Sequence, residues 1–421
     1  MNAGRESLSD KLKALGVQIG AKNLQPPPAP RKPAPLHGIE EVISGVDLPT
    51  PAGLTFVSEQ VYPTGYRHGS IDLFAPCPLE ALSAWGSATR LTDPGLRNLV
   101  FLDTETTGLM GGTGTNVFLV GTGYFDLDGF HLAQYFMRDP GQEPAMLAGL
   151  EQLLARFNVI VTFNGKTFDL PLLNTRCTLN GFSSPFSTFD HLDLLHLARK
   201  LWRDRLPSRA LGELEKEIVR FYRSGEDIPG WMIPELYFNY LRTGDARPLG
   251  GVFYHNAMDI LSLAALFNHV AALLTQPDRL LVSTEGAGLD LAAIARLYES
   301  LGWLERAAEL YESSLDHGLP AEFFFKTIER YASMERRQGR WEQAVHLWER
   351  AAEHGQLEAC IELAKYYEHR ARDYDLALHW VQRAIELTPS ALRFEYARRD
   401  MLNELKQRSE RLHKKRRSAV E

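Results

Sequence analysis

The rhythm of apolar and polar positions changes twice along the chain. Leu99-Val100-Phe101-Leu102 is an unbroken apolar run ending in Asp103, and it reads as a strand. Residues 116–126 and 130–137 read as two more. In residues 145–157, Leu147, Leu150, Leu154 and Phe157 recur at helical spacing, and residues 158–164 return to a strand pattern. Helical patterning dominates from there to about residue 275. Three meandering strands, a helix and another strand predict a mixed α/β sheet flanked by helices.

The second change is to an all-helical pattern that repeats. Residues 302–315, 339–352 and 372–385 align on Ala307, Ala344 and Ala377, so the copies are offset by 37 and 33 residues. These offsets bracket the tetratricopeptide period. The second copy carries Gly339, Trp341, Ala344, Trp348 and Ala351 in the expected register, and the third has Tyr374, Ala377, Ala384 and Pro389. In the first copy Ser314 stands where alanine is usual. Small residues let paired helices approach, and the bulky ones fill the gap between them. Upstream, residues 1–24 suit a short amphipathic helix on Leu8, Leu12 and Leu15. Residues 25–35, QPPPAPRKPAP, read as an extended linker, because proline fixes φ and donates no amide. Residues 39–98 contain strand-like pieces such as residues 54–62.

Composition narrows the class. At 44% hydrophobic and 24% charged, the chain is ordinary for a soluble globular protein. No apolar run suggests a membrane span and no signal-peptide pattern opens the chain, so a cytoplasmic location and no membrane partner are expected. Cys77, Cys177 and Cys360 form no CxxC pair, which argues against a disulfide framework or a zinc knuckle. The net charge of −7 argues against a generally basic nucleic-acid binder. It leaves room for a nuclease, whose acidic site holds cations. The C-terminus is locally basic, with Lys406, Arg408, Arg411, Lys414, Lys415, Arg416 and Arg417 opposed by Glu410, and reads as a solvated helix end or a disordered tail.

Like charges then need a reason. Asp103 and Glu105 end an apolar strand on one face, since side chains alternate with a period of two. Asp169 follows the next strand in the segment Phe163-Asn164-Gly165-Lys166-Thr167-Phe168-Asp169-Leu170-Pro171. Tyr254-His255-Asn256-Ala257-Met258-Asp259 opens a later apolar helix, with Asp259 among residues where a solvated charge is unexpected. In this order the three segments resemble the motifs of the DEDD superfamily of 3′–5′ exonucleases. Together with LPSRALGELEKEI, DIPGWMIPELYFNYLRTGD and HNAMDILSLAAL, residues 39–275 resemble the YprB-like ribonuclease H-like proteins.

The resemblance implies a ribonuclease H-like α/β domain followed by tetratricopeptide-like helical repeats. It implies hydrolysis of single-stranded DNA or RNA from the 3′ end. Asp103, Glu105, Asp169 and Asp259 would hold two divalent cations, Mg²⁺ or Mn²⁺. The chemistry agrees: hard cations prefer carboxylate oxygens, and a metal pair can activate water and stabilise both the transition state and the leaving oxygen. His255 is the candidate base because an imidazole is the side chain suited to taking a proton near neutral pH and because it shares a helix face with Asp259 at i,i+4. The family pattern places its histidine five residues before the last aspartate or a tyrosine four before. Here the two residue types are exchanged, so Tyr254 stays as the alternative. Thr106, Asn164, Lys166, Phe168 and Tyr254 are the candidate substrate contacts.

Other motifs fall away. Neither residues 111–114 nor Gly121-Thr122-Gly123 completes a dinucleotide fingerprint, and the second set suits close backbone approach within a strand. Asp190, His191, Asp193 and His196 could suggest a metal cluster, but His191 and His196 read as structural, with Asp190 expected near the active site. The expected division is a Pro-rich segment (1–38), an N-terminal extension (39–98), the nuclease domain (99–277), the repeats (286–390) and a basic helical or disordered tail (391–421). The repeats would bind a partner protein or form a subunit contact. Two competing functions are a structure-specific endonuclease with the same site, and a non-catalytic adaptor acting through the repeats.

Overall fold

The structure is a computed structural model describing residues 37–74, 78–91, 96–108, 114–281 and 285–419. The expectations for residues 1–36, for Gly111 to Thr113 and for Cys77 lie outside the described residues.

Nine strands are described: β1 (Val46–Thr50), β2 (Gly53–Tyr62), β3 (Arg67–His68), β4 (Ile71–Asp72), β5 (Leu99–Thr106), β6 (Val117–Phe125), β7 (Phe130–Phe136), β8 (Val159–Thr162) and β9 (Asp190–Asp193). Seven form one mixed sheet in the order β1-β2-β7-β6-β5-β8-β9, and β3 and β4 pair separately. The meander β5-β6-β7 is antiparallel, while β8 and β9 add parallel to β5. Residues 46–62 are thus part of the domain's own sheet, because β1 pairs with β2 and residues 56–62 of β2 pair with β7. The four-residue strand β9 escapes periodicity, since DHLD is mostly polar.

β5 and β6 are buried almost throughout, which is why they read as continuous apolar runs. Leu99 and Phe101 pack with Ile260, Leu261 and Phe267 of the long helix Leu249–Thr275. Val100 and Leu102 join Met146 and Leu150 of helix Glu143–Leu154, and Leu170 and Leu173 of helix Asp169–Leu179. The long helix starts at Leu249, not at the HNAMD segment, so His255 and Asp259 sit within it. Its composition and 27-residue length would by themselves suit a membrane span, contrary to the sequence expectation. It is instead the buried central helix of the domain, with 78% of its most apolar window buried. The helix can lie this close to the sheet because β6 offers glycines. A Cβ on Gly121 would fall 2.2 Å from Asn256 Oδ1, and one on Gly123 would fall 2.6 Å from Ile260.

The C-terminal region is all-helical, from Ala287–Ser300 to Glu395–Ser418. The aligned alanines Ala307, Ala344 and Ala377 are all fully buried, and Gly302 and Gly339 reverse the chain in the left-handed region. Ser314 is buried in the alanine slot because its hydroxyl is satisfied by the Tyr311 carbonyl at 2.7 Å. One hydrophobic cluster runs from the sheet into these helices. Arg205 donates to Asp290 at 2.8 Å, and Arg296 to Asp204 at 2.6 Å, across the junction.

The basic tail is ordered as helix Glu395–Ser418, and much of its charge is answered internally. Arg408, Arg411 and Lys415 converge on the buried Glu368 at 2.8–3.0 Å, and Arg416 reaches Asp375 at 2.8 Å. Burial pushes the Glu368 carboxyl up, but the bonds from Arg411 and Lys415 prevail and hold it at about 2. A depressed carboxyl contributes stability above its unfolded value that is lost as pH falls through the folded one. Helix Glu395–Ser418 is therefore expected to detach between pH 4.5 and about 2, seen as loss of helical circular dichroism, and Glu368→Gln to cost about 3–5 kcal/mol at neutral pH. A helix signal indifferent to both changes would refute this anchoring.

Candidate metal centre

The acidic residues gather at the carboxyl ends of the parallel strands, where open α/β sheets commonly place their sites. Asp103 and Glu105 project from the end of β5, and the β5–β6 register shifts between Glu105 and Thr106. This irregularity ends regular pairing beside the site. Asp259 and His255 come from the long helix on one face. Asp169 opens the helix on the other and takes a bond from the Thr104 hydroxyl. The pairing Thr162–Asp193 puts the fully buried Asp193 at this same end. Its carboxylate accepts the amides of Asn164 at 2.8 Å, Lys166 at 3.0 Å and Leu195 at 3.1 Å, which fixes the turn leading to Asp169.

Donor atoms of Glu105, His255 and Asp259 lie within 4.8 Å of one another. Asp103 and Asp169 lie outside this group; Asp103 is held by Asn256, whose Nδ2 donates to Asp103 Oδ2 at 2.9 Å. Gln134 in turn donates to Asn256 Oδ1 at 3.0 Å and to the Phe253 carbonyl at 2.9 Å. A buried relay therefore sets the Asp103 rotamer.

The electrostatics are those of crowded acids. Burial, then Asp259, Asp169 and Glu105, push the Asp103 carboxyl well above the usual range, against the opposing bond from Asn256. Burial, then Asp259 and Asp169, do the same to Glu105, with Arg223 opposing. Burial lifts Asp169 to about 6, against the Thr104 hydroxyl. A hard divalent cation would remove this repulsion, and carboxylate oxygens are a fitting donor set for Mg²⁺ or Mn²⁺.

His255 is oriented by its neighbours. Nδ1 lies 2.8 Å from Asp227 Oδ1, and an ionised carboxylate only accepts, so Nδ1–H is the donor. Nε2 faces inward, 3.4 Å from Asp259 Oδ2. Arg223 donates to Asp259 Oδ1 and grips Glu215, with Nε at 2.8 Å from Oε2. Burial works against its charge, but the Glu215 and Asp259 carboxylates push its pKa upward. A cleft of about 550 Å³, walled by Lys216, Phe221, Tyr222 and Ile228, opens onto His255 and Asp259.

A family model for the RNase_H superfamily matches residues 100–271. The chain is also 33% identical over 347 residues to the uncharacterized protein YprB of Bacillus subtilis (strain 168), covering 78% of this chain and 80% of that one. The chain belongs to the YprB family of RNase H-superfamily proteins. Among solved structures, it is similar to a family B DNA polymerase from Pyrobaculum calidifontis, at 15% identity and a TM-score of 0.33. That match covers 48% of this chain and 28% of the polymerase, and is too slight to carry an argument.

Within this RNase H-superfamily domain, the candidate substrate contacts are more dispersed than the carboxylates. Thr106 bonds the Gly108 carbonyl at 2.8 Å. Asn164 adopts the left-handed conformation and bonds Thr167, while Lys166 is exposed and Phe168 half-buried beside Asp169. The Tyr254 hydroxyl accepts the Ser224 amide at 3.0 Å. Asp190 is a correction. It pairs opposite Val159, itself opposite Leu99, and so lies at the other end of the sheet, capping the Arg90 amide at 2.8 Å. Arg223, Asp227, Glu215, Asn256 and Gln134 carried no spacing signal. Glu215 reads as one more solvated charge in ELEKE, yet a π-turn over Glu215–Val219 buries it.

Two outcomes follow from this arrangement. Acids harder to ionise when folded keep extra protons in the folded state, so stability falls as pH rises through their raised values. The metal-free protein should lose thermal stability as pH rises from about 4 through about 6, where the raised Asp169 carboxyl ionises, and Mn²⁺ should restore more at the higher pH. A flat profile, or equal Mn²⁺ stabilisation at both ends, would contradict the crowding. Separately, Gly121→Ala must push Asn256 off Asp103, and chemical denaturation should register a loss of about 1–3 kcal/mol.

Proposed function

We propose that the protein is a metal-dependent 3′–5′ exonuclease that hydrolyses phosphodiester bonds of single-stranded DNA or RNA. The observation that carries this reading is the cluster of Glu105, Asp259 and His255 at one end of an RNase H-like sheet, with Asp103 and Asp169 near enough for the acids to push one another's carboxyls up.

In this reading the four carboxylates hold two divalent cations. The bound pair would supply Lewis acidity for the attacking water and the leaving oxygen. The chain's own residues do the rest. Asn256 and Thr104 fix the two outer carboxylates before substrate arrives. His255 accepts the water proton at Nε2, and Asp227 stabilises the imidazolium that results. Tyr254 is the weaker candidate base, because its hydroxyl is engaged with the Ser224 amide. The cleft beside Asp259 and His255 receives the strand end, with Tyr222 free to stack on a base. Residues 99–277 act as the catalytic unit. The later helices, with their buried alanines 37 and 33 residues apart, serve as tetratricopeptide-like repeats that engage a protein partner.

A single strand labelled at its 5′ end should yield a one-nucleotide ladder in Mn²⁺. Asp103→Ala should abolish it, His255→Ala should slow it about 10²–10⁴-fold, and Tyr254→Phe should retain most of the rate. Internal cuts would replace the exonuclease reading with an endonuclease one. Unchanged activity in Asp103→Ala would remove this site from the reaction altogether.

A further inference from the structure

The site already contains a cation. Arg223 is buried to all but 13% of its side chain and cannot easily withdraw, because Glu215 holds Nε at 2.8 Å and takes a second bond at Nη2. Glu215 itself is 3% exposed and fixed in the π-turn. The same Nη2 donates to Asp259 Oδ1, while Nη1 lies 3.4 Å from Asp227 and 3.2 Å from His255 Nδ1. The other oxygen of Asp259, Oδ2, is turned to His255 Nε2. Asp259 thus presents one oxygen to a guanidinium and the other to the space shared with Glu105 and His255.

We propose that Arg223 is a permanent counter-cation of the metal centre, sharing Asp259 with the bound ion: the guanidinium keeps Oδ1 and the ion takes Oδ2. The proposal rests on the reading of the carboxylates as a metal centre. Its first consequence is geometric, since Asp259 can ligate through one oxygen only. Its second is electrostatic. A fixed positive charge a few ångströms from the ion repels it, so the protein binds its metal less tightly than the same carboxylates would alone. Arg223 is therefore a positioning residue that sets the affinity of the centre. This role predicts the opposite sign from a scaffolding one: a group that merely organises ligands weakens metal binding when removed, whereas a counter-cation strengthens it.

Calorimetric titration of the metal-free full chain with Mn²⁺, without nucleic acid, separates the two. Arg223→Gln should bind Mn²⁺ at least about tenfold more tightly than wild type, and Arg223→Lys, which keeps the charge, should resemble wild type. Equal or weaker binding by Arg223→Gln overturns the proposal. Should that variant not fold, nitrogen NMR of the wild-type arginines on adding Mg²⁺ decides it. Arg223 resonances that stay hydrogen-bonded support the sharing of Asp259, and resonances released on saturation refute it. A wild type that binds no Mn²⁺ would overturn the metal-centre reading itself and this proposal with it. Binding by wild type without tightening in Arg223→Gln overturns the role of Arg223 alone.

Discussion

Mutual repulsion among buried carboxylates is the constraint around which the sheet end is built. Asp103, Glu105 and Asp169 are pushed toward protonation by burial and by neighbouring acids. Such a cluster opposes folding unless something holds it. The chain answers with directed donors: Asn256 on Asp103, Thr104 on Asp169, Arg223 on Asp259. Two of these donors are themselves held, Asn256 by Gln134 and Arg223 by Glu215. The cost of keeping acids together in low dielectric is offset locally but not removed, and the remaining charge suits a cation.

The fold serves this arrangement by bringing the two faces of the sheet to one edge. The odd-numbered residues of β5 meet the long helix, and its even-numbered ones meet the helix that Asp169 opens. Glycines on β6 permit the approach that lets Asn256 reach Asp103. The extension through β1 and β2 and the helices from Ala287 onward share contacts with this core. Asp103, Glu105, Asp169, His255 and Asp259 therefore stand on strands and helices of one continuous scaffold.

Much of this was legible in the sequence, for stated physical reasons. Continuous apolar runs mark β5 and β6 because both their faces are covered. The Asp103/Glu105 pair was visible through the two-residue period of a strand, and His255/Asp259 through the four-residue spacing of a helix. The 37- and 33-residue offsets picked out alanines that are indeed buried. What stayed hidden depends on long-range contact. Glu215 and Arg223 lie close in sequence yet meet Asp259 only after the chain folds back, and a lone arginine in a loop has no period. Asp190 was misplaced because strand β9 is too short and polar to show its direction. The basic tail looked solvated because Glu368, which gathers its charges, stands forty residues away from Arg408. The strand-like residues 54–62 are indeed β2, but nothing in their pattern showed which strand of the central sheet they join.

The central claim is that these carboxylates form one metal centre. Anomalous diffraction from crystals soaked in Mn²⁺ tests it most directly. The account predicts manganese peaks bounded by Asp103, Glu105, Asp169 and Asp259, with Asp259 contributing Oδ2. Crystals that bind manganese elsewhere, or leave these four carboxylates without any, would contradict it.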